Sequence, residues 1–376
     1  MKIELPGYAR TTIILVGMFV LVWMLSITRQ IVVPILFSAI FAILLTPFVN
    51  FLIRHKWNRI LAIATIVVLA CALMAGLAYL IVGQMVQFGK SVPAMIENFD
   101  LLVKDAEMWF SQKFDVSPET IDLWLDKKSS QMVDNASSDM GRTLATTGTL
   151  LVYVVLIPVY VFMILFYQPM LIEFIFRLFD DGKEKAVSKV IIQAKVVIQS
   201  YLVGLLFQAM IIAGLYSIAL FSIGIQYALL LALIGALLNL IPYLGAILAA
   251  SLPMVFALST QHPSKALLVL GAYILIQFID NNYIVPRIVA SKVRINALVS
   301  IVVVFAGGML WGIPGMFLAI PTAAILKVIF DHIEGAEHWG YLLGDEMPET
   351  ERNLFVKKPK VKKPVPVKIP ATKTKD

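Results

Sequence analysis

The feature that most constrains this chain is a series of long apolar runs that contain almost no charged residues. An α-helix needs about 20 apolar residues to cross the roughly 30 Å hydrocarbon core of a bilayer. Two stretches, 226–258 and 297–330, are longer than one crossing requires. Six further runs have the length of a single span and lie at 11–28, 31–53, 60–82, 144–167, 197–223 and 266–282. The sequence therefore predicts an all-α, polytopic integral membrane protein with about eight hydrophobic segments.

The composition agrees with this interpretation and excludes an ordinary soluble enzyme. Hydrophobic residues make up 60% of the 376 residues and charged residues 15%, against about 45–50% and about 25% in soluble domains. The net charge of +7 belongs to the tail, because residues 351–376 contain nine basic and two acidic residues. The rest of the chain is neutral, so no nucleic-acid partner is expected. The tail is instead expected to contact anionic lipid.

We divide the chain into four parts. Residues 1–83 hold the first three transmembrane helices, and 84–143 form an extracytoplasmic, soluble helical segment with ten acidic and six basic residues. That segment is either a solvated cap or a dedicated substrate-binding domain. Residues 144–335 are the transmembrane transport core, and 336–376 are a cytoplasmic tail rich in lysine and proline.

Basic residues near the ends of spans predict the orientation, because cytoplasmic loops are enriched in Lys and Arg. Arg54, Lys56 and Arg59 place the 54–59 turn in the cytoplasm, and Arg287 and Arg294 place the 283–296 loop there as well. Both termini are then cytoplasmic.

The same rule predicts that the two longest stretches, 226–258 and 297–330, are re-entrant hairpins. As single helices they would be about 50 Å long, and each contains a proline–glycine break in its middle. The breaks lie at Pro242 to Gly245 and at Gly312 to Gly315. If 226–258 crossed once, the basic 283–296 loop would lie outside. Two hairpins that enter from opposite sides predict an inverted repeat with broken helices near the midplane.

Asp280 is the main candidate for a substrate- or ion-binding residue, because ionisable residues inside membrane segments are costly and usually functional. Gln277 lies on the same helical face, and Asn281 and Asn282 add amide oxygens that suit a small cation or a polyol. Alternatively, Asp280 caps the end of its span or forms a structural pair with Arg287.

The other candidate binding residues lie in the apolar runs and at the two breaks. Each also has a structural interpretation: helix association for the buried amides, anchoring at the interface for the tyrosine, and close packing for the glycines. These candidates are Gln208, Asn239, Pro242, Tyr243, Gly245, Gly307, Gly308, Pro314 and Gly315. Arg287, close to Asp280 in sequence, is a further candidate for binding. The sequence contains neither a nucleotide-binding loop nor a hydrolase or zinc-protease pattern, so we expect no enzyme, no cofactor and no metal site.

Several short stretches resemble those of the AI-2E transporter family. They comprise Gln199–Gly204, Leu240–Gly245, Gln277–Asn282, Val285–Arg287, Trp311–Met316 and Ala319–Pro321. The resemblance covers most of residues 10–335. One departure is Asn296-Ala297, where many members have a proline before the last hairpin.

The resemblance implies a permease of the bacterial inner membrane that exports autoinducer-2, a small polyol used in quorum sensing. Some members are similar to sodium(lithium)/proton antiporters. We therefore expect a secondary-active transporter of a small polar solute, with a Na⁺(Li⁺)/H⁺ antiporter as the alternative. A membrane scaffold or sensor without transport is the second alternative. A homo-oligomer is expected because short hairpins need protein around their tips.

Overall fold

The computed structural model describes residues 6–114, 153–179, 184–241, 245–260, 263–289, 294–333 and 335–346, and every regular element in these ranges is a helix. The helices are α1 (Gly7–Ile27), α2 (Arg29–Arg54), α3 (Arg59–Phe114), α4 (Tyr153–Arg177), α5 (Glu184–Ile223), α6 (Ala228–Asn239), α7 (Gly245–Thr260), α8 (Pro263–Ile279), a π-helix (Asp280–Val289), α9 (Ala297–Trp311), α10 (Ile313–Phe330) and α11 (Glu337–Leu343). Within the described ranges, seven helical stretches are long and apolar enough to cross a membrane. The prediction of a polytopic all-α membrane protein is confirmed.

The first four helices present much of their apolar surface to the surroundings. Helix α1 buries none of its residues, as suits a helix surrounded by lipid, whose tails are as apolar as leucine side chains. Helices α2, α3 and α4 share a core cluster that includes Val49, Ile63, Val161 and Leu165. Arg59 fixes the start of α3 to the middle of α4 by donating to the carbonyl of Leu165 at 2.9 Å.

Helix α3 continues well past residue 82, where the sequence predicted the end of its span. It has 56 residues, which at 1.5 Å per residue is about 84 Å. Phe88 packs against the rings of Tyr227 and Phe256 at centroid distances of 5.7 Å each, and the Ser91 hydroxyl hydrogen-bonds that of Tyr227 at 3.0 Å. These tertiary contacts hold α3 against α7 and the start of α6 just past residue 82. The remaining part of the predicted extracytoplasmic segment, 115–143, lies outside the described residues.

Helix α5 packs against more of the other described helices than its neighbours do. It has 40 residues and packs against α2, α6, α8, the π-helix and α10. One face of α5 is buried over several turns, and its buried residues include Tyr201, Gln208, Ile212, Tyr216 and Leu220. A side chain on this face can therefore meet side chains from several other helices.

The stretch 226–258 consists of two short helices, as the break in the sequence predicted. Helices α6 and α7 have 12 and 16 residues, or about 18 and 24 Å, and each is shorter than the roughly 30 Å membrane core. A Cβ on Gly245 would overlap the backbone carbonyl of Leu238, so glycine permits the two helices to approach closely. Pro242 and Tyr243 lie outside the described residues, and entry of this pair from one membrane side stays a prediction.

The stretch 297–330 is also two helices, α9 and α10, joined by a tight turn at Gly312. Gly312 has a φ of 67°, which favours glycine, and Pro314 lies in the first turn of α10, where no backbone donor is required. The backbones of Gly307 and Gly315 touch, because a Cβ on either one would overlap the carbonyl of the other. The helices therefore pack face to face beyond the turn.

Helix α8 changes into a π-helix at Asp280, a transition that the sequence did not predict. The π-helix spans Asp280–Val289 and contains Pro286. Such wide turns are rare and are frequently found at functional sites. The transition places Asp280 at the junction between the two helical forms.

Asn296 fixes the beginning of α9 to α11, near the start of the predicted tail. Its Oδ1 caps α9 by accepting from the Val299 N–H at 2.8 Å, and its Nδ2 donates to the carbonyls of Leu342 and Gly344 at 2.7 and 3.0 Å. Its own N–H donates to Leu343 at 3.1 Å. A proline at position 296 would lack both the backbone N–H and the side-chain amide, and so could not make these bonds. The attachment of α9 to α11 therefore depends on the Asn296-Ala297 departure from the family pattern.

Candidate functional site

Three helices bring Asp280, Gln208 and Asn239 into direct contact. The Gln208 Nε2 on α5 donates to both carboxylate oxygens of Asp280, at 3.1 and 3.0 Å. The Asn239 Nδ2, in the last turn of α6, donates to Asp280 Oδ2 at 2.8 Å. Because α6 ends at Asn239, this amide lies immediately before the break in the 226–258 stretch. We refer to these three residues as the carboxylate site.

The carboxylate site is shielded from the surroundings. Asp280 is 1% exposed and Gln208 is 5% exposed, and Asn239 is half-buried. An isolated charge in an apolar interior is strongly unfavourable unless it is paired or hydrogen-bonded. Here the two amide groups supply the hydrogen bonds, and each keeps a carbonyl oxygen that can accept a hydroxyl or bind a cation.

Asp280 lies directly after the last residue of α8 but is buried there. Its carboxylate accepts hydrogen bonds from two other helices. Arg287, the predicted structural partner, lies seven residues later in the π-helix with an exposed side chain.

The neighbours of Asp280 in sequence differ in what they contact. Gln277 is half-buried and donates to Asn281 Oδ1 at 3.0 Å, while its own Oε1 is buried without a partner among the described residues. Asn281 and Asn282 are exposed, and the Asn282 amide donates to the Phe278 carbonyl of its own helix at 2.8 Å. The run of amides in the sequence is thus divided between two faces.

The contacts of the predicted glycines are between helices. Gly307 and Gly315 touch across the α9–α10 pair, and a Cβ on Gly308 would meet the Met316 side chain. Gly245 packs on the end of α6, which carries Asn239. These contacts explain the glycines by close packing, while their part in binding stays a prediction.

Two tyrosines near the carboxylate site were not recognised from the sequence. Tyr216 on α5 and Tyr273 on α8 stack with centroids 4.1 Å apart. The signal was present as helical spacing, since Tyr273, Gln277 and Asp280 follow each other at intervals of four and three residues, which places them on one face. Tyrosine is common in apolar segments, so the spacing alone did not distinguish it from core packing.

The described residues hold no group of three or more His, Cys, Asp or Glu side chains that could bind a metal ion. The carboxylate site has one carboxylate and two amides. Such a set suits a proton, a monovalent cation or a hydroxylated solute better than a tightly held transition metal, which prefers imidazole or thiolate ligands.

Comparison with known proteins agrees with a membrane transporter. Residues 12–335 match the family model described as AI-2E family transporter. The AI-2 transport protein TqsA of Escherichia coli (strain K12) is 26% identical over 345 residues, which cover 89% of this chain and 95% of that protein. The protein YrrI of Bacillus subtilis (strain 168) is 26% identical over 314 residues, 81% of this chain and 87% of its own length. YueF of the same organism is 24% identical over 80% of this chain and 83% of its own length.

The family match extends over all the helices from α2 to α10, including those that carry the carboxylate site. With the apolar helices that can cross a membrane, it shows a multi-pass membrane protein of the transporter type. The chain belongs to the AI-2E transporter family.

Proposed function

We propose that this protein is a secondary-active transporter that exports a small polar solute such as autoinducer-2, with Asp280 at its binding site. The observation that carries the proposal is the buried Asp280 carboxylate, 1% exposed and held by amides from two other helices. Carboxylates inside membrane segments mark ion and substrate pathways by default. The printed name of the relative TqsA, an AI-2 transport protein, supports this choice of solute.

The helices that carry Asn239 and Asp280 suggest how the carboxylate site would change during transport. Asn239 is at the end of the short helix α6, and Asp280 is where α8 becomes a π-helix. Discontinuous helices are common at transporter sites because their ends supply polar groups at membrane depth. We infer that movement of α6 and α7 against α5 and α8 exposes the carboxylate site to each side in turn.

A Na⁺(Li⁺)/H⁺ antiporter is the second candidate, and the composition of the site favours it. The two oxygens of Asp280 are hard-oxygen ligands, and the amide oxygens of Gln208 and Asn239 would join them if these side chains turned their carbonyl groups toward a cation. Hard cations prefer such ligands. In this candidate, the cation and the proton compete for the same carboxylate. The scaffold or sensor alternative instead makes activity depend on residues 84–143 or on the tail.

The deciding experiment measures flux in proteoliposomes. Purified protein is reconstituted, and uptake or release of autoinducer-2, Na⁺ and Li⁺ is measured with and without a pH gradient. Asp280→Asn should abolish flux because it removes the charge that binds a cation or proton. Asp331→Asn is the matched control, since Asp331 is paired with Lys327 on the side of α10 at 2.6 Å. Full flux in the Asp280→Asn protein would refute the proposed role of the carboxylate site.

We also propose a placement in the bacterial inner membrane with both termini cytoplasmic. The basic clusters at 54–59 and 283–296 support this orientation. In this arrangement the pairs α6–α7 and α9–α10 are the re-entrant hairpins, residues 84–143 lie outside, and the tail rests on anionic lipid. A homo-oligomer would surround the hairpin tips with protein. Labelling of single cysteines introduced at Lys56 and Lys292, with a membrane-impermeant reagent, tests the orientation.

A further inference from the structure

A second group of buried polar atoms lies along α5, which carries Gln208, and along α8, which leads into Asp280. The hydroxyls of Tyr216 and Tyr273 and the Oε1 of Gln277 are buried, and none has a hydrogen-bond partner among the described residues. Tyr216 and Tyr273 are 0% and 3% exposed, and their rings stack at an interplanar angle of 16°. Buried polar groups nearly always have a partner. Three unpartnered groups on facing helices therefore indicate a ligand that bonds to them.

These atoms are aligned with the carboxylate site. On α8, Tyr273 and Gln277 precede Asp280 by seven and three residues, and on α5 Tyr216 follows Gln208 by eight. At 1.5 Å per residue, the tyrosines lie about 10–12 Å along the helices from the carboxylate site. Both lie toward the same end of the bundle, where Lys265 at the start of α8 donates to the Gly224 carbonyl just after α5.

The third helix of the carboxylate site also reaches the tyrosines. Gly235 lies one turn before Asn239 on α6, and a Cβ there would be 3.3 Å from the Tyr216 ring and 3.4 Å from the Tyr273 hydroxyl. The absence of a side chain lets α6 close against both tyrosines. Their other neighbours in this core cluster include Ile212, Ala236 and Ile276. The hydroxyls are therefore surrounded mainly by apolar groups, and because α6 packs so closely against them, water is the ligand small enough to bond to them.

We propose that Tyr216, Tyr273 and Gln277 hold a short chain of water molecules that carries protons between Asp280 and the end of the bundle where α5 ends and α8 begins. This inference rests on the proposed function, in which Asp280 exchanges a proton. It adds a proton route to that function, with named residues outside the carboxylate site.

The chemistry of the three side chains fits their parts in this route. A hydroxyl both donates and accepts, so a proton arriving on a tyrosine oxygen is balanced by release of the hydroxyl proton to the next water. The tyrosine is neutral before and after each transfer. The Gln277 Oε1 only accepts, so it positions a water and carries no proton itself. The transfer ends when a water gives its proton to an Asp280 oxygen, and transport in the other direction reverses each step.

The test compares proton flux with ligand binding in reconstituted protein. Proteoliposomes containing a pH-sensitive dye report proton movement after addition of Na⁺, Li⁺ or autoinducer-2. Tyr216→Phe, Tyr273→Phe and the double variant should each lower the initial proton flux at least tenfold, because phenylalanine keeps the ring and removes the hydroxyl. Binding of the cation or solute should change less than twofold, since the carboxylate site is intact. Gln277→Met, which keeps the side-chain length, should also lower the flux.

Tyr201→Phe is the matched control. Tyr201 is buried on α5 like Tyr216, but it belongs to a different core cluster with Val33, Leu202 and Leu318. Its variant should conduct protons like the wild type. Proton flux in both tyrosine variants equal to that of Tyr201→Phe would overturn the proton route.

The outcomes separate this inference from the proposed function. If Asp280→Asn abolishes transport while the tyrosine variants transport normally, the proton route is wrong and the carboxylate site stands. If the wild type moves solute without moving protons, the proton route is likewise wrong and the carboxylate site stands. If the wild type moves neither solute nor protons, both proposals are refuted. Should a tyrosine variant fail to fold, Gln277→Met decides the question, because normal proton flux in that variant overturns the route.

Discussion

The contact between Gln208 and Asp280 can be measured without knowledge of the transported species. The change is Gln208→Leu, alone and combined with Asp280→Leu, in a double-mutant cycle. Gln208 is 5% exposed and its amide lies 3.1 and 3.0 Å from the two carboxylate oxygens. Leucine removes the donor from an apolar interior without adding a new polar group. The cycle therefore isolates the energy of this one contact.

The expected coupling follows from the chemistry of the contact. A hydrogen bond between membrane helices contributes about 0.6 kcal/mol on average and at most about 1.7 kcal/mol. A hydrogen bond to a charged group contributes about 1.5–3 kcal/mol. Because the Gln208 amide contacts both carboxylate oxygens, we expect a coupling of about 1–3 kcal/mol at neutral pH. The coupling should fall toward about 0.6 kcal/mol at a pH low enough to protonate the carboxyl group.

The assay is equilibrium unfolding of purified protein in mixed detergent micelles, with the free energy of unfolding determined for the wild type, the two single variants and the double variant. Gln193→Leu is the control, since Gln193 is an exposed glutamine on the same helix and its substitution should show no coupling to Asp280→Leu. A coupling below about 0.3 kcal/mol at neutral pH, which is within the usual additivity of independent sites, would refute the contact.

Two further predictions concern the second broken stretch. Gly315→Ala should destabilise the protein by about 1–3 kcal/mol, because its Cβ would overlap the Gly307 carbonyl. The control Gly214→Ala, whose Cβ meets nothing within 4 Å, should be neutral or stabilise the protein by up to about 1 kcal/mol. Equal effects of the two variants in thermal unfolding would contradict the packing argument. Asn296→Ala should lower the free energy of unfolding by about 1–3 kcal/mol, because it removes the α9 cap and the side-chain bonds to α11. Amide hydrogen exchange should rise in residues 337–343, and unchanged exchange there would contradict the attachment.

The outline of the fold could be predicted from sequence because membrane helices obey a length rule. Apolar runs such as 31–53 and 60–82 correspond to α2 and α3, and the breaks near Pro242 and Gly312 lie where helices end. In hydrocarbon, every backbone group must be satisfied within the protein. A proline or glycine in a long apolar stretch is therefore informative. The sequence did not predict the extent of α3, because contacts of Phe88 and Ser91 with distant residues support it.

The sequence singled out the three residues of the carboxylate site among fourteen candidates, but it did not bring them together. Asp280, Gln208 and Asn239 were each recognised because polar residues are rare in apolar helices. Their sequence separations of 72 and 41 residues gave no indication that they meet. Proximity in sequence offered Arg287 only as an alternative, structural partner of Asp280. Tyr216 and Tyr273 passed unnoticed because a buried aromatic residue is ordinary until its hydroxyl is found without a partner.

The sequence by itself determined that this chain is a polytopic helical membrane protein, where its long helices break, and that Asp280 is the unusual residue in its core. Those properties depend on the free energy of transfer of each residue into lipid and on local backbone chemistry, and both can be evaluated along a single helix. The tertiary structure decided that Asp280 bonds to α5 and α6, that Asn281 and Asn282 face away, and that Tyr216 on α5 stacks on Tyr273 of α8. Such contacts depend on how helices rotate and cross when their surfaces pack, and that rotation is set by many side chains together.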